Sequence, residues 1–250
     1  MYNKFSYEEY GEIISSIQKY LPILDYSEIE KTTEKFCVIR HDVEFSIDRA
    51  YDLAVYEHSL GIETSYMFQI RNNCYNTFSD KNLSKIESIA GMGHKIGLHA
   101  HMSALKDIKY IDSYIKNDIN ILSALTGFVI DRFSFHRPKR EYLELNLNIQ
   151  GRLPFSSINI INTYDKRYFH LTEDLNNLNI TYLADSQHKW NYGHPLDLNL
   201  KVINKLQLLT HPYSWTKEGL DNKENFTTLL VEKDNELRNS INNECKNFPL

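Results

Sequence analysis

Residues 36–46 read Phe36-Cys37-Val38-Ile39-Arg40-His41-Asp42-Val43-Glu44-Phe45-Ser46. The opening apolar run is too short for a helix and predicts a buried strand over 36–40. Polarity then changes abruptly, through Arg40, His41, Asp42 and Glu44. Ser46 follows as a helix N-cap ahead of Ile47, Ala50, Tyr51 and Ala54, which share one helical face. A buried strand, a polar turn and an amphipathic helix make the start of a βα unit.

The pattern continues in both directions. Upstream, Tyr10, Ile13, Ile14, Ile17 and Leu21 recur at helical spacing. Downstream, Gly61 stops the helix and Thr64 to Phe68 reads as a second strand. A polar loop over 72–79 leads to a helix around Leu83, Ile86 and Ile89, which Gly91 and Gly93 end. Lys95 to His99 is a third strand, Ile108 to Leu122 a helix, and Arg132 to Phe135 a fourth strand. Further strands are expected at Ser156 to Ile161, Ile180 to Leu183 and Leu206 to Leu209. Phe226, Leu229, Leu230, Leu237 and Ile241 predict a long C-terminal helix. Strand–helix alternation of this kind implies an α/β fold with a parallel sheet, open or closed into a barrel, and ligands gather at the C-terminal strand ends of such sheets.

The chain has 250 residues, a 42% hydrophobic share and a net charge of −5, with pI near 6.1. That length suits one α/β barrel. No composition shift marks a linker, so residues 1–250 are expected to form one domain, with 1–35 as a helical extension packed on it. The acidic balance excludes a nucleic-acid partner. Three cysteines at wide spacing, Cys37, Cys74 and Cys245, argue against a thiolate zinc knuckle and for free thiols. No segment is apolar for long enough to span a membrane, and the N-terminus has no signal-like run, so a cytoplasmic protein is expected.

Polar residues of catalytic type fall where the strands end: Asp42 and Glu44, then His99 and His101, then His136 and Arg137, then Asp185 with Trp190, then His211 with Tyr213 and Trp215. On extended chain, period two puts Asp42 with Glu44, and His99 with His101, on one face. Carboxylates and imidazoles so placed suit Zn²⁺ or a similar ion with a position left for water. Read singly, Trp190 and Trp215 are packing residues, and His58, His94, His170, His188 and His194 belong to core or surface. There is no Gly-x-Ser-x-Gly elbow for a serine nucleophile, and no Gly-x-Gly-x-x-Gly or P-loop for a nucleotide cofactor.

Six stretches carry a resemblance: VIRHDVEFS, TSYMFQIRNNCYNTFS, GHKIGLHAH, FSFHRP, YLADSQHKW and LLTHPYSW, in that order between residues 36 and 215. Together they resemble the polysaccharide deacetylase-like family, the NodB-homology or carbohydrate esterase 4 group. The branch that opens with Arg-His-Asp-Val-Asp is the most similar. The resemblance implies a distorted (β/α) barrel of about seven strands. It implies Asp42 as catalytic base, Glu44 and His99 as metal ligands, Arg137 as the arginine that orients the base, and Asp185 with His211 as an acid pair. It also implies a divalent metal, Zn²⁺ first, with Co²⁺ or another first-row ion as alternatives.

The chain departs from the pattern in places. Ser103 stands where the family has its second histidine, so His101 is expected to replace that ligand. Glu44 stands where the branch has Asp, and His136 adds an extra ligand or a substrate contact. Trp190, Tyr213 and Trp215 are expected to stack on a sugar. The function so implied is metal-dependent removal of an N-acyl group, acetyl first, from an amino sugar in polysaccharide or glycoconjugate biosynthesis, with a small-molecule or glycan substrate. The alternatives are a catalytically degenerate carbohydrate-binding protein on the same scaffold, motivated by Ser103, and a hydrolase of another linear amide.

Overall fold

The computed structural model describes residues 4–30, 32–145, 147–151, 158–169 and 180–245. In chain order the elements are α1 (Tyr7–Gln18), β1 (Phe36–Val43), α2 (Ile47–Ser59), β2 (Ser65–Phe68), α3 (Asp80–Gly91), β3 (Lys95–His101), α4 (Ile111–Thr126), β4 (Arg132–His136), α5 (Arg140–Leu143), β5 (Ile149–Gln150), β6 (Asn159–Asn162), β7 (Ile180–Ala184), β8 (Lys205–Thr210) and α6 (Asn222–Glu244). The helix starts follow local chemistry. Ser6 Oγ accepts the Glu9 N–H at the head of α1, and Ser46 Oγ accepts the Arg49 N–H at the head of α2. Gly61, at φ +70°, and Gly127, at φ +73°, turn the chain out of α2 and α4.

The sheet has eight strands in the order β5-β6-β4-β3-β2-β1-β8-β7. Every neighbouring pair is parallel except β5 with β6. The strand expected at Ser156 to Ile161 is β6, displaced to Asn159–Asn162, and Ser156 lies outside the described residues, as does His170.

The sheet curls. In the strand order β1 and β6 are separated by β2, β3 and β4, yet Arg40 on β1 reaches across to the segment after β6. Its Nη1 donates to Thr163 Oγ1 at 2.5 Å and its Nη2 to the Tyr164 hydroxyl at 2.7 Å. Gln207 on β8 likewise donates to the Tyr168 carbonyl at 3.1 Å. A flat sheet would hold these strands far apart, at almost 5 Å per strand. Among the described residues no ladder joins β5 to β7, so the wrapped sheet is a distorted barrel open on that side.

β1 is buried along its whole length, because both of its faces are covered. Cys37 and Ile39 pack outward against Tyr10, Ile13, Ile14 and Ile17 of α1, and Val43 joins the cluster that includes Ala50 and Ala54 of α2. The alternate side chains face the barrel interior. Phe36 and Val38 meet Tyr26, Ile29 and Tyr168 and plug the lower end. Arg40 and Asp42 lie above them. The apolar plug fills the lower interior of the barrel, and the polar side chains Arg40 and Asp42 lie above it, toward the end where the strands finish.

Candidate functional site

At the C-terminal strand ends lies a cavity of about 520 Å³, lined by Asp42, Glu44, His99, Arg137, His211 and Tyr213 together with an aromatic wall. Period-two alternation explains the floor. Asp42 on β1, His99 on β3 and Ser134 on β4 point inward at one level, and β3–β4 register sets His99 beside Ser134. Ser134 Oγ donates to Asp42 Oδ1 at 2.9 Å and lies 2.8 Å from His99 Nδ1. Having given its only proton to Asp42, the hydroxyl accepts from His99. This places the imidazole proton on Nδ1 and turns the Nε2 lone pair up into the cavity.

The next level holds Glu44 and His136. Glu44 Oε1 is 2.9 Å from His136 Nδ1 and 3.6 Å from His99 Nε2, and the two ring nitrogens are 3.2 Å apart. Gln69 fixes the protonation of the second ring. Asn72 Oδ1 accepts the Cys74 and Tyr75 N–H groups, so its amide nitrogen must donate, and Gln69 Oε1 accepts it at 2.9 Å. The Gln69 amide NH₂ therefore faces His136 Nδ1, at 3.3 Å, and marks that nitrogen as an acceptor.

Three lone pairs, from Glu44, His99 and His136, thus converge. A proton on one ring can bridge two of these atoms, whereas a divalent cation can take all three. An ion bound tetrahedrally at about 2.0–2.1 Å requires its ligands roughly 3.4 Å apart, close to the spacing found. The residues present fit such an ion, and the Ser134–Asp42 pair behind His99 supplies the orienting hydrogen bond that metal-ligating imidazoles use.

Two other groups face this floor. His211, at the end of β8, has Nε2 3.9 Å from Glu44 Oε1. Its Nδ1 is 2.7 Å from Asp185 Oδ1, and Asp185 Oδ2 also accepts the His211 backbone N–H at 3.1 Å and Trp215 Nε1 at 2.8 Å. Burial alone would lower the His211 pKa. The hydrogen bond and charge of Asp185, aided by Glu44 and Asp42, push it up to about 9. Asp42 shows the opposite balance. Burial raises its pKa, but Arg40, with Nη2 3.4 Å from Oδ2, and then His99 and His211 pull it below the usual carboxylate range. When no ion is bound and protons on His136 and His99 bridge to it, Glu44 is likewise held low against its burial.

Of the residues expected from sequence, Asp42, Glu44, His99, Asp185, His211 and Tyr213 come together here. His136 joins them, its Nδ1 lying close to Glu44 Oε1 and His99 Nε2. Four expectations need correction. His101 does not join the donor group: its Nδ1 accepts the Ser103 N–H at 3.4 Å, capping the turn after β3, and its ring stacks on His136 at 4.9 Å between centroids. Arg137 makes no contact with Asp42; the guanidinium beside that carboxylate is that of Arg40, from the same strand, while Arg137 lies at the cavity wall.

Trp190 and Trp215 are not sugar platforms. Trp215 is 0% exposed and Trp190 9%, and both pack with Phe5 in the cluster beneath α1. Aromatic faces do line the cavity, but they belong to residues such as Phe45, Tyr164, Phe169, Tyr182 and Tyr192. Arg40 and Ser134 were readable by the same alternation, since each lies two residues before a site residue, Asp42 and His136. Gln69 carried no such signal.

No family model matches the chain, and no curated protein matches it. The solved structures that it resembles include chains of carbohydrate esterase family 4 and deacetylases of peptidoglycan and chitin. An acetyl xylan esterase of family 4 from Clostridium thermocellum, in complex with a cobalt ion, is 11% identical over 78% of this chain and 84% of its own, with a TM-score of 0.40. The chitin deacetylase from Colletotrichum lindemuthianum is 14% identical over 81% of this chain and 84% of its own, with a TM-score of 0.41. A family 4 pseudoenzyme from Bacillus anthracis is 12% identical over 86% of this chain and 68% of its own, at 0.39.

Proposed function

We propose that this chain is a metal-dependent hydrolase that removes an N-acyl group, acetyl first, from an amino sugar. The observation that carries the reading is the convergence of Glu44 Oε1, His99 Nε2 and His136 Nδ1 within 2.9–3.6 Å of one another, beside the buried Asp42 carboxylate and the His211 imidazole paired with Asp185. Those three residues would hold the ion, Zn²⁺ first. When bound, a divalent ion supplies Lewis acidity toward an acyl carbonyl and toward water.

The chain's own residues do the remaining work. Asp42, kept ionised by Arg40 and by the Ser134 hydroxyl, accepts a proton from the attacking water. His211 holds a proton on the cavity side, because Asp185 engages its Nδ1 and stabilises the imidazolium. It delivers that proton to the departing amine, without which the amine is a very poor leaving group. The aromatic wall excludes water and offers flat faces to a sugar ring. His136, arriving from the neighbouring strand, fills the role that Ser103 left vacant, which favours this reading over a metal-free binding protein.

The test is direct. Protein stripped with a chelator and resupplied with Zn²⁺ or Co²⁺ is expected to release acetate from N-acetylated amino sugars. Asp42→Asn is expected to lose at least a hundredfold in turnover while binding one equivalent of metal. No acetate release with any first-row ion and any such sugar would sink the reading.

A further inference from the structure

Arg137 has no part in that mechanism. It follows His136 at the end of β4, and it is the one arginine or lysine lining the cavity among the described residues. Its side chain is exposed, and no described residue forms an ion pair, hydrogen bond or ring contact with its guanidinium. The neighbouring cations of the same stretch are engaged: Lys139 lies 3.5 Å from Glu141, and Arg140 lies 2.8 Å from Glu144. The guanidinium beside Asp42 is that of Arg40.

The backbone there is unusual as well. Arg137 has φ +48°, a left-handed conformation that a side chain disfavours, and it precedes Pro138, which restricts it further. Glycine would adopt this shape freely. The position instead sets a long cation on the cavity lining, in a conformation that the surrounding structure must impose.

Arg137 stands at the rim of the cavity, apart from the floor where Asp42, Glu44, His99 and His211 meet, with Tyr164, Phe169 and Tyr182 along the wall. A substrate whose acyl amide reaches that floor presents its outer end to this cation.

We propose that Arg137 binds an oxyanion of the substrate, a phosphate or a carboxylate, so that the preferred substrate is an acidic N-acylated amino sugar. A planar guanidinium pairs with either group through two parallel hydrogen bonds. The inference rests on the hydrolase reading for the placement of the acyl group, but the anion contact itself does not.

Binding is therefore measured without turnover, by titration calorimetry at low ionic strength on the full chain. The probes are N-acetylglucosamine 1-phosphate, N-acetylmuramic acid and the neutral methyl glycoside of N-acetylglucosamine. At least one acidic probe is expected to bind about tenfold or more tightly than the neutral one, a ratio in line with a single charge-assisted contact. The phosphate and carboxylate arms identify the anion. Arg137→Gln is expected to erase the preference and leave neutral binding within twofold, and Arg137→Lys to retain part of it. Arg137→Gly relieves the backbone, so its melting temperature should hold or rise while the preference disappears.

Equal binding of acidic and neutral probes to the native chain would overturn the proposal. So would equal weakening of both by Arg137→Gln, or loss of the preference in Lys139→Gln, which would point to a diffuse field. A chain that binds acidic probes through Arg137 and releases no acetate would keep this inference and lose the hydrolase.

Discussion

Replacing His136 by Ala distinguishes the structural donor set from the one suggested by the His99-Ala100-His101 spacing. In the structure, His136 Nδ1 lies 2.9 Å from Glu44 Oε1 and 3.2 Å from His99 Nε2, whereas the His101 ring caps a turn and stacks on His136. Structural zinc held by four ligands is worth roughly 10–16 kcal/mol, or about 3 kcal/mol per ligand. Loss of His136 is then expected to weaken metal binding by about a hundredfold. His101→Ala removes only a stacked neighbour and a cap, and less than a threefold change is expected.

Competition titration with a chromophoric chelator measures both affinities, and the visible spectrum of the Co²⁺ form reports whether the donor set has changed. Thermal unfolding gives a second readout. At a metal concentration of 100 times the native Kd, binding stabilises the native chain by about 2.7 kcal/mol, and a hundredfold weaker variant by only roughly 0.4 kcal/mol. A hundredfold loss in His101→Ala with His136→Ala unaffected would refute the arrangement. Near-native affinity in both variants would refute the metal centre itself.

Arg40→Met removes a fully buried cation that contacts Asp42, Thr163 and Tyr164. It leaves the carboxylate buried and unpaired, so a loss of about 3–5 kcal/mol in urea unfolding is expected, against under about 0.5 kcal/mol for the exposed Arg137→Met; equal small effects would remove Arg40 from its assigned place. Glu57 is buried and accepts hydrogen bonds from Thr64 and Tyr66 at 2.8 Å, with His41 Nε2 at 3.0 Å. Burial raises its pKa, but the charge and hydrogen bond of His41, then His94 and Tyr10, bring it down from 4.5 to about 2. A depressed carboxyl pKa stabilises the fold above the unfolded value and loses that contribution as pH falls through the folded one, so up to about 3 kcal/mol is expected to vanish between about pH 4.5 and 2. Denaturant unfolding across that window should show a shallower pH slope in Glu57→Gln, and an unchanged slope would exclude Glu57 as its source.

The elements of the fold were largely legible in the sequence because they are set by local chemistry. Short apolar runs marked the strands, Ser46 capped its helix and Gly61 ended it, and the strand–helix order required a mostly parallel sheet. The same alternation put Asp42 and Glu44 on one face and His99 at a strand end, and it would have included Arg40 and Ser134 had it been extended two residues back. What the sequence could not determine was which side chain fills a given space between strands. Period two says which face a residue occupies, but not its neighbour across the ladder or its rotamer. β3–β4 register set His101 beside His136, and His101 caps the turn after β3 through the Ser103 N–H, so that His136 is the ring that lies beside Glu44 and His99. Trp190 and Trp215 sit near strand ends just as the cavity residues do. Only the cover supplied by Phe5 and α1 decides that their rings face the helix layer, because burying a large aromatic ring there removes more apolar surface from water than leaving it at a wet rim.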